Sequence, residues 1–570
     1  MALFPQTRDS FHKTTLILAA AATLTALSAC TGVPAPAAAP SSQTPTPSAS
    51  PSASQRTTPA PPPSSAAPDP GTRPLGWGPQ QRDRDAAAAA VAAMTPEQKA
   101  GQVLMPFFAG TDAEAHAATI ERLHLAGSII MGDNVPVDAR KQVDPAAMAA
   151  TTARLAQAAR ADGRTWPGLI GVDQEGGMVA RLGAPLTEWP APMTYGAAGN
   201  AALTKDAGRA MASELAPLGF NVDFAPDTDV TIGPADPTIG ARSMSGNPDA
   251  AGALGVAFSQ GMQESGVLPA VKHFPGHGSV TVDSHQDLPV QPASIADLEA
   301  RDWKPFRAAI GAGVPMVMTG HIAVPALEPG VPASLSAPTY AALRGMGFNG
   351  VAVTDALNMG AVQKQYPDGS AAVAALAAGA DLLLMPTDVA QAHAAIVGAV
   401  AGGSLPAARL DEAAQRVATM MIWRGRTASP PGSAPGTGAD ISARVSAAAV
   451  TVLSGPCRGP LVPGSVRVAG GSPQDRARFE AAAAKAGLAV GEGPVVSLIG
   501  YGGAPAGGDI AVSLDAPWPL QDSAAPVKVA LYGRSPGAFD ALAAVLAGKA
   551  TAPGKLPAAV GSFPEGTGCP

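Results

Sequence analysis

The sequence predicts an α/β protein: a TIM-type (β/α)8 barrel followed by a smaller α/β domain of sandwich-like build. Three observations carry this expectation. Between about residues 95 and 426, short apolar runs, Gly- or Asp-bearing turns and alanine-rich stretches of helical period alternate, as βα units around a parallel sheet do. The runs number eight, the count that closes such a barrel. Titratable residues gather at the C-terminal ends of the runs, the face that carries the site in barrels of this type.

The candidate strands, in order, are GQVLMPFF from Gly101, AGSIIMG from Ala126, GLIGVD from Gly168, VDFAP from Val222, LPAVKHF from Leu268, VPMVMTGH from Val314, GVAVTD from Gly350 and ADLLLMP from Ala380. Their length and bounding glycines favour strands over buried helix segments. Asp173, Asp227, Lys272 with His273, His321 and Asp355 stand at or just after the C-terminal ends of these runs. Residues 76–426 are therefore assigned to the barrel. The Pro/Gly/Ser stretch 427–438 reads as a linker, and 439–570 as the second domain, with further helix and strand units such as GPVVSLIGYGG and APVKVALYGRSPGAFDALAAVLAG.

Ahead of the barrel, Arg8, His12 and Lys13 precede the apolar run Thr15 to Ala29, too short to span a bilayer but right for the core of a signal peptide. The run ends in LSAC, Leu27 to Cys30, which resembles a bacterial lipobox, so residues 1–30 read as a lipoprotein signal with Cys30 as the lipidated residue. Ordinary secretory cleavage near the same place is the alternative. Residues 31–75 are almost entirely Pro, Ala, Ser and Thr and read as an extended tether. The expected location is the outer face of the cell membrane, through the lipid anchor, or else the exterior as a secreted protein. In that setting Cys457 and Cys569 are expected to pair, two buried free thiols being the alternative. With 37 Lys and Arg against 44 Asp and Glu, a formal charge of -7, the composition argues against nucleic acid as a partner.

The chain holds only eight histidines, yet three of them fall in KHFPGHGSVTVDSHQDLP, Lys272 to Pro289, together with Asp283 and Asp287. Pro275, Gly276 and Gly278 make most of this segment a loop, and a loop this rich in ionisable groups marks a site. In D-S-H, alternate residues of an extended segment project to one side, which brings the Asp283 carboxylate to the His285 imidazole. Such a carboxylate favours the charged ring, which can donate a proton and then take one back; a plain surface pair is the bland alternative. Asp355 at the tip of the seventh run suits a nucleophile, or else an N-cap for the next helix. His273, His277, Asp283 and His285 are residue types that fit a metal, but no specific ligand spacing such as H-E-x-x-H is present, so neither a metal nor another cofactor is expected. Lys272 and His273 with Arg181 and Arg242 read instead as donors for a polyhydroxylated, amide-bearing ligand.

GVDQEGGMVARL (Gly171 to Leu182), IGARSMSGNP (Ile239 to Pro248), KHFPGHGSVTVDSH (Lys272 to His285) and GFNGVAVTDALNMGAV (Gly347 to Val362) resemble glycoside hydrolase family 3, in its β-N-acetylglucosaminidase branch. The resemblance covers the whole barrel. It implies Asp355 as nucleophile and His285, assisted by Asp283, as acid/base. Sugar-binding roles fall on Asp173, Arg181, Arg242, Lys272 and His273. It further implies a carbohydrate partner, double displacement with retention, and terminal β-linked N-acetylglucosamine of peptidoglycan fragments or related glycans as substrate. One departure is Met178, where an additional arginine often stands. The alternatives are another β-glycosidase of the family, such as a β-glucosidase, which usually draws a glutamic acid from the second domain, where the candidates here are Glu480, Glu492 and Glu565, or a non-catalytic cell-wall-binding lipoprotein that retains the fold.

Overall fold

A computed structural model describes residues 69–366, 368–427, 431–504 and 507–570. The signal segment, Cys30 and the tether up to residue 68 lie outside the described residues. Residues 69–75, assigned to the tether, are structured: Asp69 caps a 3-10 turn, Pro70–Thr72, and Pro74 bridges Gln80.

Each of the eight apolar runs contains a strand: β1 Leu104–Met105, β2 Gly127–Ile130, β3 Leu169–Val172, β4 Val222–Asp223, β5 Leu268–Phe274, β6 Met316–Thr319, β7 Val351–Thr354 and β8 Leu383–Leu384. Every residue in them is buried, which is why they read as continuous apolar runs rather than alternating ones. β2 to β7 pair in parallel, each with the next, and β8 pairs in parallel with β1. Two short connections close the ring. Ala126 and Ile129 N–H donate to the Leu104 and Pro106 carbonyls between β1 and β2, and Thr354 N–H donates to Leu382 O (3.0 Å) between β7 and β8.

The outer helices start where the sequence supplies caps. Asn200 accepts from Leu203 N–H at the head of Ala201–Leu215, Asn247 from Asp249 and Ala250 N–H ahead of Pro248–Glu264, and Asp388 from Ala390 and Gln391 N–H ahead of Val389–Ala401. At the N-terminal end of β8, opposite the catalytic face of such a barrel, the buried Asp381 carboxylate gathers Arg344, Arg409 and Arg416 and also accepts from Ala352 N–H (3.0 Å).

The second domain is a five-stranded sheet of β9 Thr451–Ser454, β10 Ser465–Gly470, β11 Ala489–Ile499, β12 Ile510–Ser513 and β13 Val527–Ala530, in the order β9-β13-β12-β11-β10. All pairs are parallel except β9 with β13. Helices Pro473–Lys485 and Pro536–Leu546 bury Phe479, Phe539 and Leu542 with the sheet's Val496, Val512 and Val529. A disulfide joins Cys457 to Cys569. The described part of the connecting stretch, 431–438, is tied to the barrel, where Gly436 and Gly438 N–H donate to the buried Glu214 carboxylate. Thr194 Oγ1 donates to Tyr532 O (3.0 Å), and Ser245 Oγ to Pro557 O (2.7 Å), so the second domain sits against the loops at the C-terminal ends of the barrel strands.

Candidate active site

The loops after β3, β4, β5, β7 and β8 enclose a cavity of about 210 Å³ whose walls include Asp173, Arg181, Arg242, Lys272, His273, His285 and Asp355. Seven residues named from four separate sequence blocks thus meet in one pocket. Asp283 is not a wall residue but is bonded to one, His285. Cys457 and Cys569 belong to the second domain and take no part.

The floor is an ion network. Lys272 Nζ lies 2.6 Å from Glu175 Oε1 and 3.2 Å from Asp173 Oδ1, and Arg181 Nη2 is 3.2 Å from Asp173 Oδ2. Arg242 forks onto Glu175 with bonds of 2.9 and 2.8 Å. Burial works against the charges of Glu175, Lys272 and Arg242, but their mutual attraction wins. The Glu175 carboxyl is held far below the usual carboxylate range, and both cations are held above their ordinary values. Glu175 was not singled out in the sequence. The signal for it was charge balance, since two buried cations need more than the Asp173 carboxylate to neutralise them.

Behind this network, Asp229 takes three donors: His273 N–H at 3.1 Å, His273 Nδ1–H at 2.7 Å and His277 N–H at 2.6 Å. With Nδ1 donating to Asp229, the neutral His273 ring presents a bare Nε2 toward Arg242, 3.5 Å away. His273 was expected as a donor; its pocket-facing nitrogen is an acceptor, because Asp229 fixes the tautomer. Burial pushes His273 down to about 4 and His277 down to about 3, so both rings are uncharged at neutral pH. The signal for Asp229 was the A-P-D-T-D run after β4, of which only Asp227 was noted. Burial also raises Asp227 and Asp229, the latter to about 7. Asp229, with its three donors, is the better anion of the two, while Asp227 Oδ2 is buried without a hydrogen-bond partner among the described residues.

The four residues weighed as metal ligands do not converge, for His277 Nε2 bonds Ser284 Oγ and His285 Nδ1 bonds Asp283. Among the described residues the set able to meet around an ion is Asp227, Asp229 and His273. It does not fit a metal. His273 Nδ1 has given its lone-pair position to a proton for Asp229, and the Arg242 guanidinium already lies 3.4 Å from Asp227 Oδ2.

Asp355 follows β7 and is half-buried. Its Oδ1 accepts from its neighbour Ala356 N–H (2.8 Å), and the next helix, Gly360–Gln363, starts from Met359, so Asp355 caps no helix. Burial opposes its charge, but the imidazoles of His321, His273 and His285 and the Ala356 N–H outweigh burial and hold the carboxyl below the usual carboxylate range. His321 is fixed from both sides, with Nδ1 2.6 Å from Ser334 Oγ and Nε2–H donating to Ala356 O at 2.8 Å.

The Asp283–His285 pair forms, but in a turn rather than an extended segment. Gln286 and Asp287 N–H donate to Asp283 O, and the Asp283 carboxylate accepts from both His285 N–H (2.9 Å) and His285 Nδ1 (2.8 Å). An aspartate that can bond the backbone two residues on favours this turn over a strand. The His285 side chain is 62% exposed, so the pair stands at the mouth of the pocket, with the buried network behind it. Gly276, at φ +120°, turns the chain into this loop where a Cβ would sit 2.6 Å from that of Asp302.

With this geometry in place, comparison with known proteins is decisive. Residues 95–420 match the Glycosyl hydrolase family 3 N terminal domain. The chain belongs to glycosyl hydrolase family 3. Beta-hexosaminidase A of Pseudoalteromonas piscicida is 34% identical over 336 residues, 53% of this chain and 55% of its own, so this chain spans about half the length of that relative. Beta-hexosaminidase LpqI of Mycobacterium tuberculosis is 32% identical over 339 residues, 58% of this chain and 83% of its own. A family 3 beta-N-acetylglucosaminidase from Paenibacillus sp. str. FPU-7 has a solved structure that superposes with a TM-score of 0.73 at 31% identity, over 82% of this chain and 99% of that one. That share reaches past the barrel into the second domain.

Proposed function

We propose that the protein is a retaining β-N-acetylhexosaminidase that removes terminal β-linked N-acetylglucosamine from peptidoglycan fragments or related glycans. The observation that carries this reading is one pocket shared by an ionised strand-tip carboxylate, Asp355, and an Asp-assisted imidazole, His285, above a floor of fixed charges. Similarity to proteins named beta-hexosaminidase and to a solved beta-N-acetylglucosaminidase supports it.

In the reaction, the Asp355 carboxylate attacks the anomeric carbon while His285 Nε2–H gives its proton to the glycosidic oxygen. The C–O bond to the leaving group breaks, and an ester forms between the sugar and Asp355. His285, now neutral, takes a proton from water, whose oxygen displaces Asp355 on the same face that lost the leaving group. Asp283 accepts from Nδ1–H throughout and so keeps Nε2 as the atom that trades protons. Arg181, whose buried Nε has no hydrogen-bond partner among the described residues, has a donor free for a sugar hydroxyl or the acetamido oxygen.

A β-glucosidase-like acid from the second domain is not favoured, since Glu480, Glu492 and Glu565 are all exposed and none lines the pocket. The exported, Cys30-anchored form belongs to the same proposal, as the placing that would let a tethered barrel reach the cell wall. One experiment tests both parts. The full chain and its Cys30→Ala variant are expressed in a lipoprotein-processing bacterium, and membrane and soluble fractions are assayed with and without chelator on a β-N-acetylglucosaminide and a β-glucoside. The expected result is chelator-resistant cleavage of the N-acetylglucosaminide alone, in the membrane fraction for the native chain and not for the variant. Preference for the glucoside would overturn the activity, and equal membrane retention of the two proteins would overturn the anchor.

A further inference from the structure

At the N-terminal end of the barrel, away from the sugar pocket, lies a second cavity of about 490 Å³, with Arg73, Leu75, Trp77, Arg84, Asn349 and Arg416 among its walls. Asn349 stands just ahead of β7, and Arg416 reaches the Asp381 carboxylate at the start of β8, which fixes the cavity to this end. Its charge is unbalanced. Arg73 Nη2 and Arg84 Nη2 both donate to one neutral acceptor, Gln81 Oε1, at 2.7 and 2.9 Å, and neither guanidinium makes an ion pair with a carboxylate among the described residues. The acids nearby are already engaged. Glu412 pairs with Arg409 and Arg416 at 2.6 Å each, Asp381 holds Arg344, Arg409 and Arg416, and Asp85 accepts from the other end of the Gln81 amide at 2.6 Å. The tether cannot supply one, for residues 31–68 contain no Asp or Glu. Two like charges held side by side on an amide oxygen repel each other, and an anion between them turns that repulsion into attraction.

We propose that this cavity is a binding site for a phosphate group, carried either by a free phosphate ester or by the headgroup of an anionic lipid. The guanidinium fork matches phosphate oxygens, and its bonds to them are charge-assisted. Arg73 and Arg84 each use one Nη2 on Gln81 and keep their other N–H groups for a ligand. Arg416 adds a third cation to the walls, against which Glu412 is the one acid, so the cavity calls for a ligand with more than a single negative charge. Pro74 and Leu75 give it an apolar side, suited to the carbon skeleton that an ester brings with its phosphate. The place suits a lipid source. In the anchored form proposed above, Arg73 and Arg84 follow the tether closely in the chain, and a headgroup held at this end of the barrel would leave the sugar pocket, at the opposite end, facing outward.

The test uses the full chain with Cys30→Ala, which removes the acyl anchor, as the parent. It is compared with the same chain carrying Arg73→Gln and Arg84→Gln together, and with one carrying Gln81→Glu, which supplies the carboxylate that the two cations lack. Titration calorimetry with glycerol 3-phosphate, and with acetate at matched ionic strength, reads the site, and circular dichroism checks that each protein is folded. Sedimentation with vesicles of phosphatidylglycerol or of phosphatidylcholine reads the source. The parent is expected to bind glycerol 3-phosphate more tightly than acetate, and both variants to bind it roughly 10- to 100-fold more weakly, the usual effect of losing a charge-assisted hydrogen bond. Retention on phosphatidylglycerol but not phosphatidylcholine, lost in both variants, would assign the lipid headgroup as the source. Vesicle retention that is absent, or indifferent to the substitutions, would assign a free ester. Binding of glycerol 3-phosphate no tighter than that of acetate, or equal in parent and variants, would overturn the phosphate site whatever the vesicles show.

Discussion

At the scale of single residues, the proposed reaction divides the site into a group that trades protons and groups held from doing so. His273, His277 and His321 are buried, bonded on fixed nitrogens and pushed below their ordinary value, whereas His285 keeps Nε2 open at the mouth. His285→Ala should therefore slow natural disaccharides by about 10²–10⁴-fold, the usual worth of general acid catalysis, while sparing the glycosylation step on aryl glycosides with very acidic phenols, which depart without a proton. Asp283→Ala should move the same way, since the ring loses the carboxylate that fixes its tautomer. Pre-steady-state bursts on the two substrate classes check this; equal slowing of both would make His285 a binding residue. The motif blocks exposed these residues because Asp283 and His285 stand two apart in the chain. Glu175 and Asp229 stayed hidden because what makes them matter lies elsewhere in the sequence: Arg242 is 67 residues from Glu175, and His273 is 44 from Asp229. Charge pairing across a barrel leaves no local pattern.

At the scale of elements, the eight strands were legible because burial on both faces leaves a plain apolar run, and turn residues punctuate it. What the runs did not reveal was how few residues of each enter the ladder. The first run spans eight residues from Gly101, yet the helix Pro96–Gln102 occupies its start and only Leu104–Met105 pair. β8 is equally short, so the β7–β8 closure depends on side chains as well as on backbone. Asp381 supplies them, holding Arg344, Arg409, Arg416 and Ala352 N–H on one carboxylate. Asp381→Asn would leave three guanidiniums around a neutral amide and should cost about 3–5 kcal/mol, the usual price of orphaning a buried charge. Burial would raise the Asp381 carboxyl, but Arg344, Arg416 and Arg409 hold it below the ordinary value. Its contribution is thus fully present above the unfolded carboxylate range and is lost as pH falls through the folded value. Urea denaturation of both proteins should show a gap that is constant near neutral pH and narrows in acid. A gap that stays constant into acid, or that widens there, would contradict this role.

At the scale of the whole molecule, the second domain bears on the site through its C-terminal tail. Leu556 N–H donates to Thr567 O (2.8 Å) and Gly566 N–H to Leu556 O (2.9 Å), so the last residues fold back on themselves. Pro557 O then accepts from both Ser245 Oγ (2.7 Å) and Gly246 N–H (2.9 Å), on the stretch that carries Arg242 into the pocket. The Cys457–Cys569 bridge anchors the far end of that tail to the second domain, closing a loop across a sequence separation of 112. In the chain-entropy account, a loop of that size is worth about 4–5 kcal/mol, acting mainly by restricting the unfolded chain. The Cys457→Ser, Cys569→Ser double variant should therefore unfold at markedly lower denaturant, and reductant should lower the wild-type midpoint toward the same value. Because the tail braces the Arg242 stretch from outside and contributes no wall of the pocket, the folded variant should keep its kcat while KM rises as the brace loosens. Equal midpoints for the two proteins would mean that the second domain holds its tail without the bridge. A fall in kcat with KM unchanged would mean that the tail acts on the transition state rather than on the seating of the sugar.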